Sequence, residues 1–288
     1  AIREQGWYKQ RFADAMSGMG DYEDKISGMK QNLFALITAG DTVVELGAGL
    51  GPNLKYLNST ISYTAVEPNS YMHAELESKL KEQFSTPSTI TEDIRLVPTA
   101  SADVVVSTLV LCSVKSQGEI LDEILRVLKP GGKLLFLEHV IEEGQGYPSP
   151  YNIQKFDWDR AYYRWSQRFM SPLQAALADG CHPDRDTVKA ISEKFSEVFV
   201  KRFRVPELWG SPDWWKYYPI GPQVAGVAIK RPLSYAGELA EVQFKFCAAD
   251  MAVVRTMPAD VEGSEKQAAW AREMQVELAK PTTKIKCN

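Results

Sequence analysis

Two acids, three glycines and a histidine carry most of the chemistry legible in this chain. The glycines fall at alternate positions, Gly47, Gly49 and Gly51, and Glu45 stands two residues ahead of the first in VVELGAGLGPN. Such a loop brings a backbone close to a ligand and turns where other residues are strained. A phosphate-binding P-loop would need Gly-Lys-Ser/Thr at its end, whereas Gly51 is followed by Pro52 and Asn53. A GxGxxG dinucleotide fingerprint would put Leu54 where its last glycine belongs. A carboxylate at Glu45 would repel a pyrophosphate, which makes a nicotinamide oxidoreductase a distant third reading. It would hold an ammonium group.

The ligand that fits carries an amine and no phosphate. S-adenosylmethionine has an α-amino group, a sulfonium and ribose hydroxyls, and its own carboxylate can be met by loop amides or a helix N-terminus. Glu67 closes YTAVE about 20 residues past the glycines, where an acid in a parallel α/β sheet accepts ribose hydroxyls. A nicotinamide cofactor would use the same acid, so Glu45 and the glycine spacing discriminate and Glu67 does not.

Other candidates are weaker. His139 ends KLLFLEHV on the ligand edge of the sheet and ranks first as a general base; the bland alternative is a packed histidine. Cys112 reads as a buried small hydrophobe. Asp179, Cys181 and His182 lie together in ADGCHPD, but adjacent Cys and His make a poor chelate, so a lid turn is expected and no metal site. FDWDRAYYRW (156–165), with Trp209, Trp214 and Trp215, walls an apolar acceptor cavity or else forms core or a partner surface.

These residues need a scaffold. TVVEL (42–46), YTAVE (63–67), ADVVVSTLVL (102–111) and KLLFLEHV (133–140) are strand-like. Between them GPNLKYL, HAELESKLKEQF (73–84) and GEILDEILRVL (118–128) carry helical spacing, and KPGG stops the last. Alternating strands and helices give a doubly wound, Rossmann-like α/β sheet. SEVFVKRFRV (196–205) and QVAGVAIK (223–230) are joined by a link too short for a helical crossover, so the last strand returns antiparallel. Helices lead in over 1–40, the main domain runs 41–230 with an aromatic-rich insertion at 141–186, and 231–288 is an extension with a helix around KQAAWAREMQVELA.

Composition excludes several classes. A formal charge of −4 over 288 residues argues against a nucleic-acid binder. Four cysteines, none in a CxxC pair, fit a reducing intracellular compartment without a disulfide framework. No apolar run approaches the roughly 18 residues of a membrane span. The chain begins at Ala1, which suggests that an upstream targeting peptide, anchor or tag was removed; a cytoplasmic, organellar or membrane-associated setting follows.

ELGAGLG, AVEPN, TEDI, DVVVSTLVL and LRVLKPGGKLLFLEHV, in that order, resemble the successive motifs of class I S-adenosylmethionine-dependent methyltransferases. More narrowly, STLVLCSVKSQ, LRVLKPGG, EHV and ADGC resemble the methyltransferase-like seven group of thiol methyltransferases, with a looser likeness to quinone-biosynthesis C-methyltransferases. The resemblance covers about residues 30–230. It implies a seven-stranded sheet with the last strand antiparallel, Pro68 beside Glu67 in the cofactor motif, Glu92, Asp93 and Ile94 beside the adenine, and Leu109 to Val114 lining cofactor and acceptor. Two readings follow. One is a methyltransferase acting on a small apolar acceptor, a thiol favoured; the other is a methyltransferase fold kept as a structural subunit, docking a protein partner through 231–288, where VQFKFCAADMAVV wants a surface to cover it.

Overall fold

The computed structural model describes residues 2–86, 88–142, 158–205, 220–231 and 252–255. Strands β1 (Thr42–Leu46), β2 (Ser62–Val66), β3 (Thr89–Thr91), β4 (Ala102–Thr108), β5 (Leu128–His139), β6 (Glu197–Arg204), β7 (Pro222–Ile229) and β8 (Ala252–Arg255) form one sheet. Its order is β3-β2-β1-β4-β5-β7-β6-β8. β1 to β5 pair in parallel, while β7 runs antiparallel to both β5 and β6. The expected seven-stranded sheet with its final strand reversed is therefore present. The extension adds an eighth strand, Ala252–Arg255, antiparallel on the outer edge of β6.

Strict alternation along the strands feeds two cores. Val43, Val104, Val106, Leu135, Leu137, Ala225 and Val227 face one side. There they meet Ile26 and Leu33 of α2 (Gly20–Phe34) and Leu76 and Leu80 of α3 (His73–Gln83). Val44, Val105, Leu134, Phe136, Val198 and Val224 face the other. Their cover is Leu121, Ile124 and Val127 of α4 (Gln117–Val127) and Val188 and Ile191 of α6 (Thr187–Ser192). Gly226 sits where β7 is clamped between neighbours: a Cβ there would lie 2.4 Å from the Phe199 carbonyl and 2.5 Å from the Phe136 ring.

Two elements differ from expectation. GPNLKYL forms only a 3-10 turn at Leu54–Tyr56, because Asn58 turns the chain by accepting from the Thr60 amide at 2.9 Å and β2 begins directly afterwards. KPGG does not separate helix from strand; β5 starts at Leu128, and a register shift against β4 between Ala102 and Val104 absorbs the glycines.

The aromatic segment is α5 (Trp158–Leu177), and it divides its rings between two faces. Tyr163 is buried beneath the Arg204 guanidinium, 4.8 Å from the ring centre. Tyr162, Trp165 and Phe169 are exposed and stack on one another with centroids 6.0 and 5.4 Å apart, and they line no cavity among the described residues. Trp209, Trp214, Trp215 and the helix expected around 266–279 lie outside the described residues. No helix among the described residues is long and apolar enough to cross a membrane.

Candidate active site

The carboxyl ends of β1, β2 and β4 meet at one crevice, and the sequence-selected residues gather there. Gly47, Gly49 and Gly51 all have positive φ, at 62°, 56° and 76°. They are not equivalent. A Cβ on Gly47 would strike Val110 at 2.5 Å and one on Gly51 would strike Leu54 at 2.7 Å, whereas Gly49 faces open space. Gly49 is thus the point of the loop where the backbone is uncovered.

Glu45 is almost fully buried, and it does not project into the crevice as a bare carboxylate. One oxygen accepts from Asn53 Nδ2 at 2.7 Å, the other from the Tyr63 hydroxyl at 2.6 Å. Burial pushes its carboxyl up to about 7, against the pull of those two donors and of the Lys30 charge. Lys30 is itself buried and bonded to Glu23 at 2.5 Å; desolvation lowers its pKa. Asn53 also donates to Thr108 Oγ1 at 2.8 Å, which fixes the amide and leaves its Oδ1 buried without a partner. An orphaned acceptor beside a carboxylate suits an incoming ammonium group.

Glu67 pins the loop. Its carboxylate takes the Gly49 and Asn69 amides, each at 2.8 Å, and burial raises its pKa against those bonds. A carboxylate has about four acceptor sites, so two remain for ligand hydroxyls. Pro68 beside it is exposed. In the TEDI motif Glu92 is exposed, Ile94 is buried, and Asp93 caps the 3-10 turn that follows and pairs with Arg95.

Leu109 leaves β4 at φ 60°, a left-handed conformation that costs a leucine on the order of 1–3 kcal/mol. It is held there by its own amide, which donates to the Leu137 carbonyl at 2.8 Å. Glu138 reinforces the bend, accepting from Ser107 Oγ at 2.7 Å and from the Val110 and Leu111 amides at 3.2 and 3.0 Å. His139, next on β5, is buried; its Nε2 meets the Tyr22 hydroxyl at 3.0 Å, and its Nδ1 faces Cys112 and Cys181. Cys181 therefore joins His139 and Cys112 rather than its sequence neighbour His182, which turns to Ser171.

The amino-terminal helix α1 (Gly6–Ser17) closes the mouth. On one bank Ala13, Phe12 and Met16 pack on Leu50 and Met72, and Asn69 donates to the Lys9 carbonyl at 2.9 Å. On the other, Arg3 donates to the Asp179 carbonyl at 2.6 Å and the Tyr8 hydroxyl accepts from the Asp179 amide at 3.0 Å. The sequence reading did not single out Asn53, Tyr63 or Glu138 as site residues.

Comparison with known proteins decides the family. Residues 44–136 match the methyltransferase domain family. Thiol S-methyltransferase TMT1B of Rattus norvegicus is 34% identical over 218 residues, covering 72% of this chain and 80% of that protein. The chain belongs to the thiol S-methyltransferase family. Solved structures extend the fold more widely. A Haloferax volcanii methyltransferase, solved with the Trm112 methyltransferase activator, superposes with a TM-score of 0.55 at 17% identity, over 77% of this chain and 97% of that one. Haemonchus contortus phosphoethanolamine N-methyltransferase 2, in complex with phosphomonomethylethanolamine and S-adenosylhomocysteine, gives 0.51 at 15% identity, over 72% and 52%. This family member is an S-adenosylmethionine-dependent methyltransferase, and its cofactor is S-adenosylmethionine.

Proposed function

We propose that the crevice transfers a methyl group from S-adenosylmethionine to the sulfur of a small apolar thiol. The single observation that carries the cofactor half is the open face of Gly49 beside the orphaned Asn53 carbonyl, backed by Glu45. Asn53, oriented by Glu45 and Thr108, holds the α-amino group, and Glu67 takes the ribose hydroxyls. Asp93 and Ile94 border the adenine, and Leu109 is strained into the wall between cofactor and acceptor. The bound cofactor supplies a methyl carbon already activated by its sulfonium.

What remains for the protein is to align the nucleophile at about 3–3.5 Å and exclude water. α1 supplies the exclusion by bridging both banks of the crevice. The thiol half is supported by the kinship with thiol S-methyltransferases. A thiol ionises far more readily than an alcohol and its sulfur is an intrinsically strong nucleophile, so a base has less to do than it would for an oxygen acceptor. His139, the base candidate, has its ring nitrogens facing Tyr22, Cys112 and Cys181, which makes it a positioning residue on this reading. The subunit reading loses ground to the enzymatic kinship, and 231–288 stays a candidate partner-docking segment.

The test is to follow S-adenosylhomocysteine release with an alkyl thiol, alcohol and amine of one carbon skeleton. Turnover should appear with the thiol alone. If the cofactor binds and only the amine or alcohol is methylated, the acceptor assignment fails.

A further inference from the structure

Cys112, His139 and Cys181 come from three separate segments: the loop after β4, the end of β5 and the turn after α5. All three are buried. His139 Nδ1 lies 3.6 Å from Cys112 Sγ and 3.4 Å from Cys181 Sγ, and the three atoms lie within 4.8 Å of one another. A zinc ion bound tetrahedrally at about 2.3 Å from sulfur and about 2.1 Å from nitrogen sets those ligands about 3.6 Å apart. Both nitrogen–sulfur distances already have that spacing. Ordinary packing of two thiols and an imidazole does not demand that both sulfurs converge on one nitrogen.

The surroundings also fit a metal ligand. A coordinating histidine hands its other ring N–H to a fixed acceptor, which settles the tautomer. His139 Nε2 has such a neighbour in the Tyr22 hydroxyl at 3.0 Å, and Gln223 closes tightly on that same hydroxyl. Gln223 is buried with its Oε1 unpartnered. Turning the amide over, an assignment that heavy atoms leave open, lets Oε1 accept the Tyr22 proton at the expense of a long 3.4 Å contact to Ile220. Tyr22 oxygen then accepts from His139 Nε2, and Nδ1 presents its lone pair to the space between the sulfurs. The flip sets the direction of the histidine and moves the unpartnered position of the Gln223 amide from its oxygen to its nitrogen.

We infer that Cys112, His139 and Cys181 form a binding site for one zinc-class cation, with Tyr22 and Gln223 orienting the histidine. Binding displaces the two thiol protons to solvent and forms two metal–thiolate bonds and one metal–imidazole bond. No fourth His, Cys, Asp or Glu donor joins the cluster among the described residues, which supply three ligands of a tetrahedral ion. The inference does not depend on the identity of the methyl acceptor.

The full chain, reduced and stripped of metal, is titrated with cobalt(II) alone. One equivalent should bind with the intense visible bands of a tetrahedral ion and a thiolate charge-transfer band. Cys112→Ser and Cys181→Ser should each lose charge-transfer intensity, while Cys247→Ser keeps it. Tyr22→Phe should weaken binding about tenfold. Should the serine variants fail to fold, X-ray absorption at the cobalt edge of the unaltered protein replaces them, and two sulfur scatterers are expected. Absence of saturable binding, a charge-transfer band that survives in both serine variants, or an all-oxygen shell overturns the site. None of these results bears on methyl transfer, which the thiol panel tests separately.

Discussion

Replacing Glu45 by glutamine removes a charge while keeping the shape that Asn53 and Tyr63 grip. The folded carboxyl ionises at about 7, against 4.5 when unperturbed, because burial disfavours its charged form. Between those values the folded protein holds a proton that the unfolded chain has released. Stability therefore falls as pH rises from 4.5 to about 7, and the loss is complete above the folded value. A shift of that size corresponds to on the order of 3 kcal/mol for this buried group. Cofactor binding has the opposite sign, since an ionised Glu45 favours the ammonium group. The ionised fraction rises about tenfold between pH 6 and pH 8 for a group titrating near 7, so affinity should tighten by up to about tenfold. Urea unfolding across pH 4.5 to 8, with calorimetric titration of S-adenosylmethionine at pH 6 and 8, reads both. Glu45→Gln should flatten both profiles and bind about tenfold more weakly at pH 8. If the variant keeps the native slope in cofactor affinity, the proton belongs to another group and the role given to Glu45 is wrong.

Gly49→Ala should cost about 1–2 kcal/mol in urea unfolding through its positive φ, and its cofactor affinity should fall further than its stability because the new methyl enters the crevice. Gly226→Ala should lose more than 2 kcal/mol or fail to fold, since the methyl meets the Phe199 carbonyl and Phe136 ring; a melt within a degree of the parent would contradict the packing. Tyr63→Phe strips one donor from a buried carboxylate and should destabilise by about 1–3 kcal/mol, more at pH 8 than at pH 5. Arg3→Ala frees the 3-10 turn ahead of α1 (Ile2–Glu4) from the Asp179 carbonyl and should raise the KM for cofactor or acceptor while leaving the unfolding midpoint nearly unchanged. Unaltered kinetics would deny α1 its role as a cover.

The sheet was readable because its strands are short apolar runs between charged helices with clear periodicity. Val104 to Val106 and Leu121, Ile124 and Val127 declare their faces directly. GPNLKYL misled because its apolar spacing is helical, while its length was set by the distance β1 to β2 must bridge. The glycine loop and both acids were visible as a pattern, yet the groups that hold Glu45 were not. Asn53 is eight residues away and Tyr63 eighteen, and only the sheet brings them together. The thiol–imidazole cluster was hidden more completely. Its members lie 27 and 42 residues from His139, and ADGCHPD drew attention to the wrong pair.

β6 spans eight positions, and the edge it turns away from β7 would otherwise present free amides and carbonyls. Unshielded backbone of that kind templates cross-chain pairing and aggregation. Ala252–Arg255 occupies half of it from within the same polypeptide. Cleavage anywhere between 231 and 252 would therefore do more than shorten the protein. It would weaken the tether of that guard and expose a ready seam for self-association.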